Sequence, residues 1–518
     1  MPPGFVPSAA ALHGRLCGQP APWKGVFVVS DLAPVPVHLD KVVEGLAGNP
    51  GLPPELVRRL FGWRGGFGDV ARRADLTDDM IAEIIGIDDH WLTHSLALNP
   101  RLPHAFRMTL ADHPDPGVRA ALVVGADDGA RELFERLMGD GDAGVREHLA
   151  QKEQVPADLR GRLATDPDPK VRVALAQWWA GAPEAVRRPL LTDPEDAVRA
   201  AACATYYRRL PHPVPPADLL PALLADPVTR AGAVRHCALD ADTASRLADD
   251  PDPEVRKELA GHPDLPPPLR DLLAADPDLR VALHVFARED TPEPARAAIH
   301  ARIVSDAPLA DPLADLGVED DDILEPELTR VLARMELRML RLPWVTADPL
   351  PYADSPYTCF RASAAMSDSL PAPVVARLLD DAESTVGTTM ARHAPGRVDP
   401  ATAERIDRGY RPVKRTHWRP ADDLPLPADV LRRLATDPDP RMRQLAPRDP
   451  DLPAELVRRL AADPDEGVRR AIAAHPRLPA DELTRLLADP AEWVANAAAA
   501  NPGLPPRDMH RILALADL

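Results

Sequence analysis

Seven times along this chain an acid stands four residues before an arginine: Asp115/Arg119, Asp142/Arg146, Asp168/Arg172, Glu195/Arg199, Asp252/Arg256, Asp439/Arg443 and Asp465/Arg469. On a helix that spacing puts both side chains on one face and sets the acid at the positive end of the helix dipole. Two roles suit such a set. One is an arginine-lined ridge that binds anions; the other is a structural ladder of Asp–Arg hydrogen bonds. Recurrence at the fold's own period favours the ladder.

Other residues could carry more specific chemistry. Between Arg408 and Arg419 five cations and two aromatics fall within twelve residues, on a chain of formal charge −19. Arg411, Lys414, Arg415 and Trp418 are the candidate contacts there, able to grip an acidic peptide or a single-stranded nucleic acid. Trp344 and Tyr352, in a stretch holding several of the chain's scarce aromatics, are further candidate anchors. His90 and His94 have the i, i+4 spacing that can hold a metal, but no third ligand is identifiable. Gly62 to Gly68 is glycine-dense, yet it lacks the Lys-Ser/Thr ending of a phosphate loop and reads as a turn. Trp178-Trp179 reads as filling between units. HExxH, GxSxG and dinucleotide patterns do not occur. No catalytic residue, metal ligand or cofactor-binding residue is assigned, and no cofactor is expected.

Composition narrows the classes. The negative balance argues against a general duplex binder, which would neutralise phosphates. Cys17, Cys203, Cys237 and Cys359 lie far apart, giving neither a disulfide framework nor a zinc site. The start lacks a basic segment followed by an apolar one, and no run of 18 apolar residues exists. A cytoplasmic protein without a membrane span is therefore expected. Aromatics at 4% leave Leu, Val, Ile and Ala to build the core, which suits thin helical layers.

The elements that position these residues repeat. Leu452-Pro453, Leu478-Pro479 and Leu504-Pro505 recur at 26-residue steps, and a fixed short period means stacked units. In LPAELVRRLAADPDEGVRRAIAAHPRL, Leu452, Leu456, Val457 and Leu460 form one helical stripe. Pro453 is expected in the first turn, Asp463-Pro464 as the cap and start of a second helix, and Val468, Ala471 and Ile472 as its inner face. His475 before Pro476 closes the unit. About 26 residues at ~1–2 kcal/mol of ordering entropy each outweigh what one unit buries, so only stacking makes it stable.

The phrases LPAELVRRLAADPDEGVRRAIAAHPRLP and DPDPEVRKELAGHPDLPPPLRDLLAADPDLR resemble leucine-rich repeat variant (LRV) repeats. The resemblance covers Leu239–Val281 and Leu426–Leu518 well, Leu52–Val198 moderately and the middle poorly. It implies alternating α and 3₁₀ helices in a right-handed superhelix, allied to HEAT and armadillo solenoids. Some family members carry a cysteine-rich iron–sulphur segment; only Cys17 lies in the first hundred residues here, so that cofactor is not carried over.

The expected fold is all-α: a right-handed superhelical solenoid of about seventeen two-helix repeats without substantial β-sheet. Residues 1–45 read as a Pro-rich arm or cap, 46–305 as a first array and 306–365 as an acidic, aromatic-containing interruption. A second array follows at 366–518, with the basic segment 408–419. Nine acids and no Lys or Arg lie between Arg302 and Arg330. The expected function is a non-enzymatic scaffold for a protein or peptide partner. A HEAT-like nucleic-acid binder or DNA glycosylase-type enzyme is the alternative, disfavoured by charge. The sequence leaves the oligomeric state and the partner's identity open.

Overall fold

The computed structural model describes residues 35–305 (apart from 64, 67, 128, 205, 208, 209 and 212), 326–410 and 418–518. The described chain is an all-α solenoid; its one strand pairing is a two-residue hairpin, Tyr206–Tyr207 with Leu210–Pro211. None of its helices is long and apolar enough to cross a membrane.

Each unit is built as its residues require. In the unit from Leu452, helices Ala454–Ala461 and Glu466–Ala473 bury Val457, Leu460, Val468 and Ile472. Two local expectations shift by a residue or two. Pro453 is the extended N-cap, at φ −57° and ψ 140°, rather than part of the first turn. The second helix is capped by Asp465, whose Oδ1 accepts from the Val468 N–H at 3.0 Å. Asp463 instead accepts the Asp465 N–H at 2.9 Å. The resemblance implied alternating α and 3₁₀ helices. Most described units instead pair two α-helices, because an Asp cap starts the second segment as a full α turn. The 3₁₀ turns, such as Leu60–Gly62 and Leu163–Thr165, are scattered.

Second helices of successive units pack directly on one another, and more closely than first helices do. Closer spacing marks the inside of a curved stack, so second helices form the inner wall and first helices the outer layer.

The expected interruption is largely part of the stack. Helix Pro326–Met339 packs between Leu279–Phe286 and Thr358–Ala364, and Thr358–Ala364 packs on Ser384–His393. Residues 306–325 lie outside those described. Where regular units use leucine, Phe286, Trp344, Tyr352, Tyr357 and Phe360 interlock with ring centroids 5.1–5.7 Å apart. The period was hard to read there because aromatics replace its aliphatic markers.

The stack also returns on itself. Helix Leu39–Ala47, largely inside the stretch expected to be an arm or cap, packs on Glu492–Ala500 more extensively than any other helix pair among the described residues. Asn501 donates to the Ala473 and His475 carbonyls of the unit before it, and Asn99 to those of Ala71 and Arg73. Asn49 makes the same two bonds to Ala499 and Asn501, at 2.8 and 2.7 Å. The first unit therefore follows the last in the ordinary register, and the solenoid is a closed ring. One core cluster runs through the joint, with Val42, Val43 and Leu46 beside Val494, Ala495 and Ala498. Close approach needs Gly45, since a Cβ there would run into the Asn496 carbonyl.

Candidate functional site

The repeated acids and arginines do not pair in the way their spacing suggests. Arg172 donates through Nε and Nη2 to Asp193 of the next unit, at 2.7 and 2.8 Å, and through Nη1 to the Asp166 carbonyl at 2.7 Å. Asp168, four residues before it, caps the helix by accepting from the Lys170 N–H at 2.9 Å. The same clip joins Arg119 to Asp140, Arg146 to Asp166, Arg199 to Asp226, Arg256 to Asp276, Arg443 to Asp463 and Arg469 to Asp489. Asp115, Asp142, Asp252, Asp439 and Asp465 are N-caps, whereas Glu195 makes no side-chain cap bond. An N-cap carboxylate is held by the helix's own N–H groups, so the arginine reaches onward. Arg361 clips Asp381 inside the stretch expected to break the pattern.

The candidate anchors are likewise built into the stack where they are described. Trp344 donates its indole N–H to the Ala287 carbonyl at 3.0 Å and meets Tyr352 edge-on at 5.1 Å. Arg411, Lys414 and Arg415 lie outside the described residues. Around them, Arg408 pairs with Glu404 and Asp437, and Arg419 with the fully buried Asp407. Trp418 lies edge-on to Tyr410 at 5.3 Å, donates to Asp423 at 3.1 Å and carries Arg392 over its ring. His90 Nδ1 sits 2.8 Å from Asp115 Oδ2, and its ring stacks 6.1 Å from that of His94. Burial, then the neighbouring His90, pushes the His94 imidazole below its ordinary value. Among the described residues no group of three His, Cys, Asp or Glu is placed to hold a metal.

Several large apolar residues stay uncovered, and four of them share one helix. Helix Pro326–Met339 turns Ala333 and Leu337 into the core and leaves Leu328, Val331, Met335 and Met339 at 44%, 50%, 54% and 58% exposure. Those four positions form one stripe along the helix. Sequence reading placed a helix at Glu327–Leu340 without assigning it a face; the apolar spacing i, i+3, i+7, i+11 was the available signal. Trp91 and Trp493 are also about half-exposed, at corresponding positions of two inner helices. Lys41 and Arg470, from the helices on either side, lie 4.6 and 5.5 Å from the Trp493 ring. Beside them the wall hollows into a cavity of about 490 Å³, lined by Arg470, Ala471, Asn496 and Ala497. On helix Leu279–Phe286, packed against the helix that carries the stripe, Arg280 bridges to Glu254 at 2.7 Å.

One buried carboxylate stands apart. Glu258, 2% exposed, lies 3.1 Å from Arg235 through Oε2, while its buried Oε1 has no hydrogen-bond partner in the protein. Burial, only partly offset by Arg235, raises its carboxyl above the ordinary glutamate value.

No curated protein matches the sequence. Residues 253–278, spanning helix Pro253–Ala260 and helix Pro267–Ala274, match the family model described as leucine rich repeat variant. With the same Asp cap and Arg–Asp clip recurring in other units, the helical repeats are consistent with the HEAT/armadillo-like group, and the matched unit is a leucine rich repeat variant repeat.

Proposed function

We propose that this ring is a non-enzymatic cytoplasmic scaffold that binds a protein or peptide partner along its inner wall. The observation that carries this reading is the uncovered stripe Leu328–Val331–Met335–Met339. A half-exposed apolar row of that spacing fits the apolar face of an amphipathic helix, and methionine side chains adapt to varied partners. The carboxylates of the clips and caps are engaged by arginines and helix N–H groups, which fits a structural rather than a catalytic role for them.

The test is affinity capture from the native host with wild type and with Val331→Glu/Met335→Glu. The reading expects proteins retained by wild type to be lost by the variant while helix content stays unchanged. Equal retention would overturn the stripe as the contact. If nuclease treatment removes everything retained, a nucleic-acid binder replaces the protein-binding reading.

A further inference from the structure

We infer that the cavity between helix Leu220–Ala225 and helix Ala241–Ala248 binds a small amphipathic carboxylate, with Arg246 at its mouth holding the anion. Both are first helices of their units, so this site lies in the outer layer and does not rest on the inner wall being a binding surface.

Short helices leave the space open. Helix Leu220–Ala225 has six residues and its partner Arg230–Val234 five, where all four helices of the next two units have eight. The apolar core breaks at the same place. A small cluster of Leu191, Cys203, Leu223 and Ala233 separates the core that runs through Val198 from the one that begins at Val234. Beside this break lies a cavity of about 720 Å³, walled by Leu220, Leu224, Cys237, Ala238 and Leu247. Pockets for small molecules are of that size, ~300–1,000 Å³, and are mostly apolar with a few placed polar groups.

Arg246 is the placed group, and the local hydrogen bonding explains why it is uncommitted. Elsewhere the arginine at this position of a first helix donates to the final carbonyl of the first helix before it. Arg485 reaches the Ala461 carbonyl at 2.8 Å and Arg405 the Leu379 carbonyl at 3.2 Å. The corresponding carbonyl for Arg246 belongs to Ala225, and Arg230 has taken it. Arg230 donates through Nε to the Leu224 carbonyl at 3.1 Å, through Nη2 to the Ala225 carbonyl at 3.4 Å and through Nη1 to Asp250 at 2.8 Å. Arg246 is left exposed on the cavity's rim, with no hydrogen bond or ion pair to a described residue. Of the charged groups lining the cavity, Arg230 and Asp250 satisfy each other, so the surplus is one guanidinium. Asp240, the nearest acid that acts on Arg246, is engaged as the N-cap of the same helix. A guanidinium fork matches the two oxygens of a carboxylate. An aliphatic acid would therefore keep its charged end at the wet mouth and lay its tail along Leu220, Leu224 and Leu247.

Isothermal titration of the full chain with sodium octanoate, decanoate and dodecanoate, each against the alcohol of equal length, tests this. At least one acid should bind saturably and about 10-fold or more tighter than its alcohol. Arg246→Gln, an exposed position, should bring that acid down to the affinity of the alcohol. Ala238→Trp, which fills the cavity from an exposed edge, should abolish binding of both while helix content stays unchanged. Saturable binding of none of the acids overturns the inference. So does an acid that binds no tighter than its alcohol, or one whose affinity survives Arg246→Gln.

Discussion

The Asn49 side chain donates to the main-chain carbonyl of Asn501 at 2.7 Å across 452 positions of sequence. Asn501 makes the corresponding bond to His475, 26 positions earlier, at 3.1 Å. The two asparagines open identical hexapeptides, Asn-Pro-Gly-Leu-Pro-Pro, at 49–54 and 501–506. Each also accepts the N–H of the glycine two residues on, at 2.8 Å. Ring closure thus reuses the ordinary joint between units.

Removing a clip should cost far more than removing a surface ion pair. Arg172 and Asp193 have side chains 11% and 6% exposed. Arg172→Ala leaves a buried carboxylate and a carbonyl without donors, an expected loss of about 3–5 kcal/mol. Arg172→Lys should recover only part of it, because an ammonium cannot reproduce the fork. Urea unfolding of the three proteins measures this, and a loss near zero for Arg172→Ala would contradict the clip's role.

Acid should weaken the ring through the same residues. Burial alone would raise the carboxyls of Asp140, Asp193, Asp463 and Asp489, but their arginines and a main-chain N–H outweigh it and hold them below the ordinary aspartate value. The unfolded chain therefore takes up protons first as pH falls. The clips' contribution is complete above the ordinary aspartate range and is lost as pH drops through and below it. Urea midpoints from neutral pH down to about 2.5 should stay level and then fall. Asp193→Asn, less stable throughout, should show a shallower fall.

Closure should be separable from folding at Gly45. Gly45→Val places branched carbons against the Asn496 carbonyl, an overpacking cost of about 1–3 kcal/mol. The units remain stacked elsewhere, so helix content should hold while small-angle scattering shows a larger radius of gyration. A loss of helix in proportion would mean that the ring folds only as a closed whole.

Glu258 offers a change in the stabilising direction. Its carboxyl titrates above the ordinary glutamate value in the fold because it is buried. The folded protein therefore holds that proton more tightly than the unfolded chain, and stability falls as pH rises above the ordinary glutamate range. Glu258→Gln keeps an acceptor for Arg235 and removes the buried charge. It should raise the melting temperature at pH about 8 more than at pH about 5, by an amount corresponding to about 1 kcal/mol. An equal effect at both pH values would show that Glu258 is ionised throughout.

Much of the unit was legible because short-range physics sets it. Leu452, Val457, Leu460, Val468 and Ile472 are buried as their spacing implies, and proline and aspartate punctuate the helices within two residues of the expected places. Longer-range facts were less accessible. The acid nearest Arg172 in sequence is a helix cap, so its true partner, 21 positions on, depends on how units stack. Trp344 and Tyr352 read as candidate anchors because the aliphatic pattern around them fails; they are partly buried and pack against the core. Closure depends on the rotation between units summed around the whole array, which no single repeat encodes. The repeated hexapeptide at 49 and 501 was its one visible trace.

Open solenoids lengthen or shorten readily, because a duplicated module merely extends the rod. Here Asn49 must meet Ala499 and Asn501 after one full circuit. A gain or loss of one module would rotate the two ends past each other and leave the bared flanks of Val43 and Ala495 facing water. Repeat number in this protein is therefore fixed by geometry, and its variation among descendants should come as substitutions within modules rather than as changes in their count.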